Sequence, residues 1–251
     1  MNPAWSADSL AAAALTGAAA AGMLAALIRP GRLAERVARE GGTIFLSTRV
    51  MQTGYGVAAP LVRLAQACRI PPDAITWASL VPGAAAGLAV ARGHAGFGAW
   101  FLALSGLCDL LDGAVARASG CASPAGAALD STLDRYVESF FLAGLLWRFA
   151  GAPGLQLLAM AALLGSFMVT YSTAKAEALG VTPPRGWMKR PERIVWFIAG
   201  SALAGLAPAF GYSPVPVLAV ATGMVALFAN ASAILRLRAL HRHVRSSGSS
   251  R

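Results

Sequence analysis

Charge is in short supply in this chain. Of 251 residues only 13% are Asp, Glu, Lys or Arg, while 57% are hydrophobic. A soluble domain is about one quarter charged, so half the usual solvating surface is missing. That excludes an ordinary cytosolic enzyme and a disordered chain alike. Histidine is nearly absent too. His94, His241 and His243 all fall in expected loops or tails, which leaves no buried imidazole base and no His-rich metal site. Cys68, Cys108 and Cys121 form no C-x-x-C pair and no even set, so neither a zinc site nor a disulfide framework is indicated. Acids are outnumbered, 11 against 21 Lys and Arg, giving a net charge of +10. Such an excess can signal nucleic acid, but here the basic residues sit at the edges of long apolar blocks. A polytopic membrane protein is expected, with membrane lipids and not nucleic acid as its surroundings.

Apolar stretches long enough to cross a bilayer lie at 9–28, 74–91, 95–117, 124–148, 153–174, 194–211 and 214–235. The expected fold is therefore an all-α bundle of membrane helices. Residues 1–28 form an N-terminal transmembrane anchor, 29–72 a cytoplasmic juxtamembrane segment, 73–238 the membrane domain, and 239–251 a disordered basic tail. Within 29–72, Val50 to Arg69 mixes Val57, Leu61 and Leu64 with Arg63 and Arg69, which suits a helix lying on the membrane surface. The positive-inside rule fixes the orientation. With 29–72 in the cytoplasm, only Arg92 and Arg148 of the 21 basic residues fall outside, and 19 fall inside. The N-terminus is then external. The first block has no basic n-region, and Arg29, Arg32, Arg36 and Arg39 follow it directly, so it reads as a retained anchor and not as a cleaved signal.

Local chemistry marks several boundaries. Asp73, after Pro71 and Pro72, is expected to cap the second helix. Ser123 followed by Pro124 supplies a cap and a preset first turn. Pro82-Gly83 is expected to kink the second helix.

Four of the six Asp residues lie between positions 109 and 134. Asp109 and Asp112 share one helix face, and Gly126, Asp130 and Asp134 share another. A hairpin near 118–123 makes the two helices antiparallel. At 1.5 Å per residue, Asp112 and Asp130 lie about 9 Å from the hairpin and Asp109 and Asp134 about 13–15 Å. The four carboxylates are thus expected to face one another in two matched levels. So many anions need compensation, and all-oxygen ligands favour Mg²⁺ or Mn²⁺. A proton-coupled transporter is the competing reading, but transporters place such acids near the midplane in repeated halves. Here they lie toward one side, in one hairpin.

Residues Asp109 to Asp134 match D-x-x-D-G-x-x-A-R-x8-G-x3-D-x3-D at every fixed position. Eight positions at roughly 5–10% usage give chance odds on the order of 10⁻⁹ per starting point. The chain resembles the CDP-alcohol phosphotransferase family over about residues 45–240. That family has six transmembrane helices, and the first apolar helix here is an addition to them. The resemblance implies attack of an alcohol on a CDP-linked phosphoryl group with release of CMP, the donor for most bacterial members being CDP-diacylglycerol. It implies two metal ions held by Asp109, Asp112, Asp130 and Asp134, with Asp134 also taking the acceptor proton. Asp112, Gly113, Ala116, Arg117 and Gly126 would meet the CDP group. A homodimer in the bacterial inner membrane, its site facing the cytoplasm, is implied as well.

A second basic group is formed by Lys175, Lys189, Arg190, Arg193 and Arg236. Plain positive-inside anchoring accounts for any one of them. The stretches around them are similar to those of family members that join inositol phosphate to a CDP-lipid. By that likeness Thr170, Lys175, Arg190, Arg193 and Arg236 would surround the phosphate of a polyol phosphate acceptor. Thr173 departs from the pattern, where a basic residue is common, and this leaves glycerol 3-phosphate open as the acceptor.

Overall fold

The structure, a computed structural model, describes residues 5–28, 48–181 and 186–248. Among them regular structure is helical throughout: α1 (Ala7–Ile28), α2 (Thr48–Ala67), α3 (Pro72–Ala78), α4 (Leu80–Ala91), α5 (Ala95–Ala118), α6 (Pro124–Arg148), α7 (Pro153–Ala178), α8 (Arg190–Leu206), a 3-10 turn (Ala207–Phe210) and α9 (Pro214–Gly248). Six stretches are long and apolar enough to cross a membrane: Ala7–Ala25, Pro72–Ala91, Ala95–Ala118, Pro153–Ala178, Arg190–Phe210 and Pro214–Arg245. The seventh expected span is α6. It has the length, but Asp130, Asp134, Arg135 and Glu138 deprive it of the composition. This is an integral membrane helix bundle. Arg29, Arg32, Arg36 and Arg39, on which the reading of the first segment leaned, lie outside the described residues.

The segment expected to be a helix is α2, packed along α5 and α1. The expected kink is a break: the second span divides at Ser79 into α3 and α4. Pro82 has no N–H for the Ala78 carbonyl. Ser79 Oγ bonds back to the Thr76 carbonyl at 2.7 Å, and Ser105 Oγ from α5 donates to the Ser79 carbonyl at 3.0 Å. Asp73 does not cap. Pro71 holds the N-cap position with no side-chain hydrogen bond, because Pro72 is preset for the first helical position and starts the helix one residue early. Ser123 caps α6 as expected, accepting from the Gly126 N–H at 3.1 Å. The tail also differs: from 239 the chain continues as helix through Gly248. Nothing between Ala239 and Val244 breaks a helix, and Ala, Leu and Arg favour one.

Glycines let the backbones meet. A methyl on Gly87 of α4 would lie 2.1 Å from the Phe140 carbonyl oxygen, and one on Gly144 of α6 would lie 2.1 Å from that of Gly87. The additional helix α1 is fastened to the far end of α5. Asp8 accepts from the N–H groups of Gly96 at 3.1 Å and Phe97 at 2.9 Å, and Trp100 Nε1 donates to the Ala11 carbonyl at 2.7 Å. The carboxylate thereby satisfies free N–H groups of the first turn and meets the positive end of the helix dipole. Val90, Leu102, Phe141, Leu142, Leu145, Phe197 and Val225 form the shared apolar core. Although α5 and α6 are consecutive, they scarcely touch, since α3 and α4 lie against both. Their acidic side chains, not their backbones, come together.

Candidate functional site

Carboxylate oxygens of Asp109, Asp112 and Asp130 all lie within 4.8 Å of one another. One Asp112 oxygen accepts from the Gly113 N–H. The other, together with Oδ1 of Asp130, is buried and has no hydrogen-bond partner. Buried acceptors left in that state are costly, and a cation supplies what they lack. The donor set is all oxygen, as Mg²⁺ or Mn²⁺ prefers. These residues fit a divalent ion.

Asp134 lies beside Asp109. It pairs with one terminal nitrogen of Arg190, whose other terminal nitrogen reaches Asp109 at 2.9 Å. One guanidinium thus links Asp109 and Asp134, while Asp109 also converges with Asp112 and Asp130. Arg190, expected at the acceptor phosphate, lies among the acids. It gets there because α8 begins at Arg190 itself, with Pro191 preset in the first turn.

The other acceptor candidates are held by separate partners. Arg193 is 1% exposed and paired with Glu138 at 2.6 Å. Arg236 turns onto α7, donating to Thr173 Oγ1 and, at 3.3 Å, to the Val169 carbonyl. Thr170 bonds the Ser166 carbonyl one turn back, at 3.1 Å, and Lys175 is exposed. Thr173, the departure from the expected pattern, is thus what fixes the direction of Arg236.

Around the trio, Arg117 folds over Gly113, where a methyl would lie 3.1 Å from its guanidinium. A methyl on Gly126 would meet Ser123 Oγ at 3.4 Å and Asp73 Oδ1 at 3.6 Å, both ordinary contacts. Packing within the chain does not demand glycine there, unlike at Gly87 and Gly144. Ala116 is half-buried on the same helix as Gly113. Sequence reasoning missed Glu138. The signal was present, for Asp130, Asp134 and Glu138 recur every four residues on one face.

Comparison with known proteins agrees with this geometry. The family pattern described as CDP-alcohol phosphatidyltransferase matches residues 69–236. A phosphatidylinositol phosphate synthase of Mycobacteroides abscessus is 32% identical over 158 residues, 61% of this chain and 72% of the relative. An archaetidylinositol phosphate synthase of Methanothermobacter thermautotrophicus is 40% identical over 142 residues, covering 57% of this chain and 71% of its own. The crystal structure of the Mycobacterium tuberculosis phosphatidylinositol phosphate synthase with CDP-DAG bound superposes with a TM-score of 0.67 at 29% identity, covering 73% of this chain and 93% of that one. The same enzyme in complex with manganese and citrate gives a TM-score of 0.67, covering 73% and 88%.

Proposed function

The chain belongs to the CDP-alcohol phosphatidyltransferase family, and from that premise we propose that it transfers a phosphatidyl group from CDP-diacylglycerol to a polyol phosphate resembling inositol phosphate. The observation that carries this reading is the acid trio with its two unpartnered buried oxygens, set in the full family motif. Family membership sets the transporter reading aside.

In the reaction the acceptor hydroxyl oxygen attacks the lipid-side phosphorus of the donor. The bond from that phosphorus to the CMP oxygen breaks, CMP leaves, and the acceptor proton passes to Asp134. Asp109, Asp112 and Asp130 would hold divalent metal, with Asp134 completing a second ion's ligands. Two such ions, Mg²⁺ or Mn²⁺, neutralise the pyrophosphate and stabilise attacking and leaving oxygens when bound. Gly113, Ala116 and Gly126 keep the helix surfaces low enough for the nucleotide to approach, and Arg117 offers a fork of donors to its phosphates. Asp134 becomes a proton acceptor once Arg190 releases it, and Arg190 is then free to meet the anionic acceptor. Lys175 and Arg236 supply further positive charge on that side.

The names of the relatives support inositol phosphate as the acceptor. Thr173 is the observation that favours glycerol 3-phosphate, because it draws Arg236 onto α7. The test is CMP release by the purified protein with CDP-diacylglycerol, Mg²⁺ and a panel of inositol phosphate, glycerol 3-phosphate, free inositol, glycerol and serine. Greater turnover with any unphosphorylated alcohol overturns the acceptor class. No CMP with any acceptor overturns the donor.

A further inference from the structure

Glu138 lies outside the family motif, yet it is 3% exposed on the helix that carries Asp130 and Asp134. It stands four residues after Asp134, and Arg193 stands three after Arg190. The two ion pairs Asp134–Arg190 and Glu138–Arg193 are therefore successive rungs between α6 and α8. The rungs differ in character. In the first, the Arg190 and Asp134 side chains are 21% and 13% exposed. In the second, Arg193 Nε donates to one Glu138 oxygen at 2.6 Å and its terminal nitrogen to the other at 2.9 Å, a planar fork on a carboxylate. Its remaining terminal nitrogen donates to the Met188 carbonyl at 2.9 Å.

Met188 is fully buried with φ at 54°, a left-handed conformation that a non-glycine residue keeps only when its surroundings hold it. Two further contacts fix the same turn. Glu192 accepts from the Lys189 N–H at 2.6 Å, and a methyl on Gly186 would lie 2.2 Å from Ser232 Oγ of α9. The turn leads directly into Arg190. Each nitrogen of Arg193 donates inside the protein, and the residue is only 1% exposed.

We propose that Glu138 is a positioning residue for the transfer reaction. Through Arg193 it fixes residues 186–190 and so sets Arg190 against Asp134 and Asp109, and Arg193 does not contact the acceptor. The consequence for catalysis rests on the function proposed above; the pinning of the turn does not.

The experiment uses the full chain in detergent and the variants E138Q, R193K, E138Q/R193K and E138M/R193M. Deuterium exchange over 186–193, the thermal midpoint, and the KM values for CDP-diacylglycerol and inositol phosphate are measured. Breaking one partner of a buried pair leaves an unpaired charge, whereas replacing both by apolar residues is often neutral, so E138M/R193M separates placement from folding. The expected result is exchange over 186–193 at least about tenfold faster in E138Q and E138M/R193M, with the rest of the chain unchanged. The kcat/KM for the acceptor falls roughly 10- to 100-fold, as misplacement does, while the donor KM holds. The effects of E138Q and R193K are not additive in the double variant. E138M/R193M regains the thermal midpoint without regaining acceptor kcat/KM. Unaltered exchange over 186–193 in E138Q overturns the proposal, whether or not the protein turns over. So does a raised acceptor KM in R193K alone, with E138Q normal, which makes Arg193 a ligand. A wild-type protein that releases no CMP refutes the function and leaves the exchange result to decide the pinning.

Discussion

Asp134 and Arg190 form an ion pair at the edge of the acid cluster. One guanidinium bridges Asp109 and Asp134, spanning the metal-type group and the residue assigned to proton removal. Arg190 is thus a resident counter-ion within the acid cluster.

Asp134→Asn should lower turnover by roughly 10²–10⁴, the usual cost of losing a general base, while CDP-lipid affinity is retained. Asp112→Asn removes an oxygen of the trio and should weaken donor binding as well. Both variants need donor affinity and single-turnover rate. Equal loss of donor affinity in the two makes Asp134 chiefly a metal ligand.

Chelation should abolish activity, with Mg²⁺ or Mn²⁺ restoring it. Titration of Mn²⁺ followed by its paramagnetic resonance gives a readout independent of turnover, and Asp112→Asn or Asp130→Asn should weaken that binding at least about tenfold, since each removes a carboxylate at a buried cation site. Full turnover in excess EDTA, after bound metal is stripped, sinks the metal role.

The glycines offer a paired test. Gly126→Ala adds a methyl at ordinary contact distance, 3.4 Å from Ser123 Oγ, so the thermal midpoint should hold while the donor KM rises. Gly87→Ala drives a methyl to 2.1 Å from the Phe140 carbonyl and should cost about 1–3 kcal/mol or more of stability, as overpacking does. If Gly126→Ala loses stability and keeps its donor KM, that glycine serves packing only.

Orientation can be read by cysteine labelling in intact cells. The bias of 19 basic residues to two predicts that a cysteine at position 245 is shielded from an impermeant reagent, and that one at position 151 reacts. The reverse pattern inverts the assignment. The pairing of Asp8 with Gly96 and Phe97 sets the start of α1 at the end of α5 remote from Asp112.

The all-helical membrane character, the Ser123 cap and the acid spacing were legible because each rests on a local pattern: apolar length, cap chemistry and fixed spacing. Where a side chain spends its charge was not. Arg190, Arg193 and Arg236 look alike in the sequence, and each is claimed by a partner at least 55 residues away in Asp134, Glu138 and Thr173. Residues remote in sequence decide that competition, and no local period reports it. Asp73 failed as a cap because Pro72 starts the helix first. The tail is helical through Gly248 because Ala239 and Leu240 carry the helix of the last span onward into the polar residues.

The contact between Gly87 and Gly144 bears on how a lipid gains access. Two backbones that meet with no side chain between them have nothing soft to compress between α4 and α6. Close-packed interfaces switch between discrete arrangements and do not deform continuously. Any movement that admits a diacylglycerol chain then falls to seams spanned by side chains. The seam between α5 and α6 is one of these, because the helices hardly meet except through the acids themselves.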